Sequence, residues 1–192
     1  MCSIKYIVLA IFLPLLYICI PYVCYWFYNP QSLVIEDVKT LIIFLIIGIP
    51  ISMLTAIGEE IGWRGFMLPA FFERMSLQKA LFFSSLIWCV WHLPVLMSGL
   101  YMPGTPLWYA IPMFMLCILP VGIMIGILTY QSKSVWPAVV FHASHNHFDQ
   151  TIFGDMTVGS QHMYFVSETG VLTVIIAWTF AIILLLRIKK AQ

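Results

Sequence analysis

Long apolar runs separated by short polar breaks make up most of the chain. About twenty apolar residues suffice for a helix to cross a bilayer, and six runs predict such spans. They cover 4–27, 41 into the Glu59–Glu60 stretch, 80–97, 107–130, 136 through 147, and 171–186. Residues 65–78 carry apolar side chains on one side and charged ones on the other, which predicts a short interfacial amphipathic helix. The pattern therefore predicts an all-α, polytopic transmembrane bundle.

Polar residues beside these runs indicate where two of the helices begin. Glu36 and Asp37 are expected to begin the second helix, because acidic side chains interact favourably with a helix N-terminus. If the third helix entered the membrane at Lys79, His92 would lie about 20 Å along its axis, deeper than the groups it is expected to meet. We therefore expect this helix to begin outside the bilayer, with Ser76 as its N-cap.

The composition supports a membrane protein and excludes several other classes. Hydrophobic residues make up 62% of the 192-residue chain and charged residues only 9%, whereas a soluble domain is near a quarter charged. The net charge of +1, without a basic run, gives no reason to expect a nucleic-acid partner.

We interpret 1–192 as one membrane domain whose first run is a retained helix, not a signal peptide. No cysteine stands in a CxxC pair, and reduced thiols are expected at Cys2, Cys19, Cys24, Cys89 and Cys117.

Basic residues gather on one side of the predicted topology. Six spans would place both termini on that side, whereas the opposite side has only Lys39. By the positive-inside rule, both termini of this multi-pass protein of the cell membrane are predicted to be cytoplasmic. Arg64 lies near the basic side, which carries Lys5, Arg74, Lys79, Lys133, Arg187, Lys189 and Lys190.

Two adjacent acids and an arginine follow the second apolar run. Charges at membrane depth are costly and usually mark function. On a helix, Glu60 and Arg64 stand at i and i+4 with the acid first, which favours an ion pair. Glu59 lies about 100° further round the helix. The spacing therefore predicts one carboxylate that is paired and one that is available.

Two later spans bring further polar groups to membrane depth. The third carries His92, and the fifth carries His142 and Asn146 on one face at i and i+4. Together with Glu59 they supply a base for water, imidazoles and an oxyanion donor, which amide hydrolysis requires. Glu59, His92 and His142 could instead hold a divalent metal such as zinc, leaving a position for water.

The three motifs, Glu59-Glu60-x-x-x-Arg64, Trp88-x-x-x-His92 and His142-x-x-x-Asn146, resemble those of the CPBP family of intramembrane proteases. That family includes CAAX prenyl endopeptidases and Abi-type proteins linked to bacteriocin processing and self-immunity. The resemblance covers about residues 51–147, the expected catalytic core, and Trp88 departs from the phenylalanine common in the family.

What the resemblance implies is peptide-bond hydrolysis inside the bilayer. Glu59 would be the general base, His92 its polar partner, and His142 and Asn146 the oxyanion donors. Members are described both as metalloproteases and as metal-independent glutamate proteases, and the sequence leaves both types open. The peptide or protein substrate would reach the site from the membrane, and could be a prenylated CAAX tail, a leader peptide or a regulatory membrane protein.

Other interpretations compete with catalysis at each position. Glu60 with Arg64 could be a structural ion pair, and His142 with Asn146 could be polar contacts between helices. His145 shares a helix face with His142 at i+3 and could support the site, although local packing or an interface is expected. His147 is expected at a helix end. Trp88 is expected to pack, His162 to be solvated, and Asp149 receives no predicted role. The alternative function is a non-catalytic membrane immunity or scaffold protein that binds a peptide in the same cavity; a transporter is disfavoured because no repeated halves are evident.

Overall fold

The computed structural model describes residues 3–35, 37–102 and 104–191, and the elements in this part of the chain are helical. Cys2 and Glu36, for which predictions were made, lie outside it, as does the side chain of Lys190. The long helices are α1 (Ile4–Tyr28), α2 (Val38–Glu60), α4 (Leu77–Trp91), α6 (Leu107–Ser132) and α8 (Val171–Ala191). The shorter ones are α3 (Leu68–Phe72), α5 (Leu93–Met97) and α7 (Trp136–Asn146).

The predicted polytopic helical bundle is confirmed, with a difference in the number of apolar spans. Within the described residues, five helical stretches are long and apolar enough to cross a membrane: 4–28, 38–72, 77–97, 107–132 and 171–189. The stretch at 136 does not qualify, because α7 has only 11 residues and continues as a π-helix, His147–Phe153. Pro137 through His145 are all buried. This helix is surrounded by protein, so it needs no apolar surface facing lipid.

The region after α2 also differs from the prediction. Instead of a separate interfacial helix over 65–78, the chain continues from α2 through a π-helix, Ile61–Met67, into α3. Arg64 and Leu68 are both buried. These contacts hold the segment against the bundle, whereas an interfacial helix would lie in the headgroup region.

The starts of two helices agree with the sequence. Asp37 is the N-cap of α2, and its carboxylate accepts hydrogen bonds from the backbone N–H groups of Lys39 and Thr40. A hydrogen bond from the Thr40 hydroxyl, together with these backbone bonds, lowers the pKa of the exposed Asp37 carboxyl. Ser76 precedes α4 as its N-cap residue, although its side chain makes no capping hydrogen bond. His92 directly follows α4, one long helix away from Ser76.

Helix α7 occupies the middle of the bundle and so determines where its polar residues lie. It packs against α1, α2 and α6, while α6 also packs against α4 and α8. Close approach requires glycine at two points: a Cβ on Gly122 of α6 would lie 2.7 Å from the Ser85 hydroxyl of α4. A Cβ on Gly48 of α2 would lie 1.9 Å from the ring of His147. The bundle therefore fixes α7 between α1 and α2 with little room for adjustment.

Candidate active site

The acidic pair at the end of α2 is divided between a buried and an accessible carboxylate. Glu60 is fully buried, and its Oε1 accepts hydrogen bonds from Arg64 Nη1 and His142 Nδ1, each at 2.9 Å. The predicted ion pair between Glu60 and Arg64 is thus present, and it is joined by a histidine from α7. Glu60 consequently ties α2, its π-helical continuation and α7 together.

The guanidinium of Arg64 is buried with its acid. Its central carbon lies 4.2 Å from the centre of the Trp88 ring, a cation–π arrangement. Arg64 Nε and Nη2 and Glu60 Oε2 have no hydrogen-bond partner among the described residues. Two buried charges with incomplete hydrogen bonding are tolerable because each neutralises the other.

Glu59 is only half-buried, and its Oε2 accepts a hydrogen bond of 3.1 Å from the indole Nε1 of Trp88. Trp88 was expected to pack, and its contact with Glu59 was not predicted from the sequence. The available signal was its position one helical turn before His92, in the second motif. Trp88 is itself buried, so it holds one oxygen of Glu59 at a fixed place.

The two motif histidines face the same tryptophan. The rings of His92 and His142 each lie with their centres 5.2 Å from that of Trp88. His92 Nδ1 donates to the Trp88 carbonyl at 2.8 Å, within its own helix turn. His142 Nδ1 is taken by Glu60. In both rings Nε2 is therefore the nitrogen left for a guest.

One cavity of about 270 Å³ collects the predicted residues. Glu59, His92, His142 and Asn146 all lie in its wall, while Glu60 and Arg64 lie behind it. The Asn146 amide makes no hydrogen bond with another described residue, which leaves its N–H groups available. The three motifs thus converge as predicted, and the catalytic roles assigned to their residues stay predictions. The rest of the wall consists of Trp88, Val95, Tyr101, Phe114, Ile118, His145, Gln150 and Glu168.

A second carboxylate–histidine pair in this wall was missed from the sequence. Glu168, which is 1% exposed, accepts from His145 Nε2 at 2.9 Å and from the Tyr101 hydroxyl at 2.6 Å. Gln150 Nε2 donates to the Tyr101 oxygen at 2.8 Å. Burial opposes ionisation of Glu168, but the hydrogen bond and attraction of His145 and the Tyr101 hydrogen bond outweigh it, so the pKa of Glu168 lies below its ordinary value. His145, expected in packing, instead fixes this acid, and its Nδ1 contacts the Tyr17 hydroxyl.

The remaining histidines and Asp149 occupy other positions. His147 is buried against Gly48 and does not line the cavity. His162 makes a hydrogen bond to the Gly159 carbonyl in the 154–170 segment. Asp149 is buried, and its Oδ2 accepts from the Ser167 hydroxyl at 2.9 Å. None of these three belongs to the cavity that holds Glu59.

The side chains around the cavity can be compared with the ligands that a catalytic metal site requires. Zinc takes imidazole, thiolate or carboxylate ligands, usually three of them from protein in a catalytic site. Among the residues that the structure describes, no three His, Cys, Asp or Glu side chains are grouped so as to hold a metal ion. A metal-bound role for Glu59, His92 and His142 stays a prediction that elemental analysis can test.

Comparison with known proteins agrees with the motifs. Residues 40–148, more than half of the chain, match the family described as type II CAAX prenyl endopeptidase Rce1-like. A 95-residue stretch is 35% identical to CAAX prenyl protease 2 of Methanococcus maripaludis, and it covers 47% of this chain and 35% of that relative. The chain thus spans about a third of the length of this relative. The matched family region includes all three motifs and ends before Glu168. On these grounds the chain belongs to the Rce1-like type II CAAX prenyl endopeptidase family.

Proposed function

We propose that this protein is an intramembrane endopeptidase that hydrolyses a peptide bond with water activated by Glu59. The observation that carries the proposal is the shared cavity: Glu59, His92, His142 and Asn146 line one space inside the bundle. Family membership supports the same activity. A half-buried carboxylate held by an indole N–H is suited to bind a water molecule and accept its proton.

The division between the two acids supports Glu59 as the base. Glu60 is fully buried and its Oε1 is occupied by Arg64 and His142. Its charge is balanced by Arg64, so it serves to position His142. Glu59 has one oxygen bound to Trp88 and the other free to face the cavity. The water-activating role therefore fits Glu59 and not Glu60.

The reaction proceeds in two proton-balanced stages. Glu59 accepts a proton from water as the water oxygen bonds to the carbonyl carbon of the peptide, giving a tetrahedral oxyanion. The Asn146 amide and the His142 ring, whose Nδ1–H stays on Glu60, stabilise that oxyanion. Glu59 then passes the proton to the leaving nitrogen as the carbon–nitrogen bond breaks. His92 Nε2 holds the water or the departing amine.

The substrate class follows from the setting of the cavity. A space of about 270 Å³ accommodates a short extended segment and not a folded domain. The cavity lies among apolar helices, so the substrate is a peptide or protein segment that arrives from the membrane or its surface. Prenylated CAAX tails, leader peptides and membrane regulators all meet this requirement. Both termini are proposed to be cytoplasmic.

Cleavage of peptides of these three classes by the purified protein in detergent, followed by mass spectrometry of new termini, tests the proposal. His92→Gln is an informative variant, because the one side-chain hydrogen bond that His92 makes to a described residue is to its own helix turn. We expect it to lower turnover by about a hundredfold or more with an unchanged unfolding temperature. Glu73→Gln, at an exposed residue, is the matched control and should cleave like the wild type.

Two further measurements separate the mechanistic types. Metal content and activity in chelator distinguish the glutamate mechanism, which predicts full turnover without metal, from a metal-dependent one. Wild-type protein that is folded yet cleaves none of the peptides, while Glu59→Gln still complements a cellular phenotype, would support the non-catalytic immunity or scaffold role.

A further inference from the structure

A second chamber of about 410 Å³ adjoins the cavity that holds Glu59. The two spaces share Tyr101 and Gln150 in their walls. The second chamber lies between the loop that follows α5 and the irregular segment 154–170. A substrate whose peptide bond reaches Glu59 therefore has a place for a neighbouring side chain on the far side of Tyr101.

Asp149 gives this chamber its main chemical feature. Its side chain is 1% exposed and lies in the wall. Oδ2 accepts from the Ser167 hydroxyl, and the Tyr22 hydroxyl lies beside Asp149, donating to its backbone carbonyl at 3.4 Å. Oδ1 is buried and is left without a well-formed hydrogen bond among the described residues. A buried carboxylate oxygen without a donor is costly. A guest that supplies an N–H at Oδ1 would remove this cost.

Carboxylates and imidazoles line both spaces. Glu59 and Glu168 line the first space and Asp149 the second, and no lysine or arginine of the described chain lies in either wall. Histidines contribute the imidazoles: His92, His142 and His145 in the first space and His162 in the second. Burial and the charge of Glu168 raise the pKa of Asp149 to about 7, and a cation beside this carboxyl group would favour its ionised form.

The apolar part of the lining indicates an organic cation. Tyr22, Tyr101 and Met102 contribute aromatic and thioether surface, which suits the methylene stem of a long basic side chain. A lysine or arginine side chain can donate to the Asp149 carboxylate and also contact this apolar lining, because it carries a charged donor at the end of an apolar stem.

We propose that the second chamber is a specificity subsite that binds a lysine or arginine side chain of the substrate close to the scissile bond, with the cation on Asp149. This inference rests on the proposed endopeptidase function. It narrows the substrate to a basic peptide segment.

Paired peptides test the subsite on the wild-type protein. Each pair differs only in lysine or its neutral, near-isosteric analogue norleucine at one position near the cleavage site, with both ends blocked. At one position we expect the lysine peptide to have a kcat/KM about ten- to a hundredfold higher, as for hydrogen bonds to a charged group. Cleavage with no preference at any position would overturn the subsite and leave the endopeptidase proposal standing.

The Asp149→Asn variant tests whether Asp149 causes the preference for the lysine peptide. The variant keeps an oxygen for Ser167 and removes the charge, so the lysine preference should fall to near one while the norleucine peptide is still cleaved. Asp155→Asn, at an exposed acid of the same segment that lines neither space, should keep the full preference. A preference that survives in Asp149→Asn would contradict the assignment.

A binding measurement decides the matter without cleavage. In the Glu59→Gln protein, the lysine peptide should raise the unfolding temperature more than the norleucine peptide, and the difference should vanish with Asp149→Asn added. Equal shifts for both peptides would reject the subsite even if no peptide is cut by the wild type. Calcium or zinc alone giving the full, Asp149-dependent shift would replace the proposed side chain with a metal ion and so overturn the inference.

Discussion

Two carboxylate–histidine pairs meet on one helix, and they differ in how their charge is balanced. His142 and His145 lie three residues apart on α7, and each has a ring nitrogen 2.9 Å from a glutamate, Glu60 or Glu168. Glu60 also has Arg64, a fixed cation at 2.9 Å. The other donors to Glu168 are the neutral hydroxyl of Tyr101 and the amide of Gln150.

The difference assigns distinct roles to the two sides. Glu60 has a fixed cation in Arg64, so this ion pair lies behind the cavity wall and holds His142 in place. Glu168 lies in the wall itself, and its ion-pair partner among the described residues is a histidine. Similar geometry thus gives a permanent ion pair on one side and a pair that depends on a histidine on the other.

The largest effect is expected from removing the fixed cation. Arg64→Met leaves the buried Glu60 without its fixed cation and with a hydrogen bond from His142, and breaking a buried ion pair costs about 3–5 kcal/mol. Unfolding of purified protein in detergent measures this loss. Arg74→Met, at an exposed arginine that donates to a backbone carbonyl, should stay near wild type. A loss below about 1 kcal/mol for Arg64→Met, typical of an exposed pair, would contradict the balanced-pair account.

The next largest loss of stability is expected at the contact that holds α7, the helix carrying both histidines, against α2. Gly48→Ala would place a Cβ 1.9 Å from the His147 ring, so α7 or the ring must shift. Overpacking of this kind costs about 1–3 kcal/mol, measured by the same unfolding assay. Gly58→Ala, whose Cβ would meet nothing within 4 Å, is the control in the same helix and should be neutral or slightly stabilising. Equal results for the two variants would mean that α7 is not held at this point.

Glu168→Gln tests the pair of Glu168 and His145, which has no arginine or lysine partner among the described residues. The amide oxygen still accepts a hydrogen bond while the charge is lost, so we expect a cost of about 1–2 kcal/mol at neutral pH. Because the pKa of Glu168 is lowered in the fold, its contribution is present above the ordinary glutamate value of 4.5 and is lost as the pH falls below it. The stability difference between wild type and variant should therefore shrink on acidification, and a growing difference would show that the acid is held protonated.

The smallest effect is expected at the residue between the two sides of the cavity. Trp88→Phe keeps an aromatic ring but removes the N–H that donates to Glu59. We expect kcat/KM to fall about tenfold, the value of one hydrogen bond to a charged group, with folding retained. Peptide cleavage measured at several pH values checks this. An unchanged rate would mean that the indole N–H does not position the base.

Local spacing explains why one pair was predictable. Glu60 and Arg64 are neighbours on any helix, and the cost of burying charge in a membrane requires Glu59, His92 and His142 to share a polar space. The apolar runs likewise predict the long helices to within a few residues. Sequence spacing does not determine how each helix is rotated about its axis. That rotation places His142 against Glu60 and Trp88 against Glu59.

The other pair could not be predicted, because Glu168 lies in the irregular segment 154–170. An acid among serine, threonine and glycine is typical of a solvated loop, and only the packing of that segment over Tyr101 and His145 buries it. The π-helices Ile61–Met67 and His147–Phe153 were likewise not predicted from the sequence. Each follows directly on residues that line or support the cavity.

The measurement that tests the central claim most directly is the turnover of Glu59→Gln relative to Glu73→Gln on one blocked, neutral peptide. Glu59 acts as the base, so its amide should lower kcat by about 10²–10⁴-fold, while the unfolding temperature stays that of the folded protein. Glu73→Gln, at an exposed site, should retain wild-type turnover. Comparable turnover in the two folded variants would contradict the assignment of water activation to Glu59.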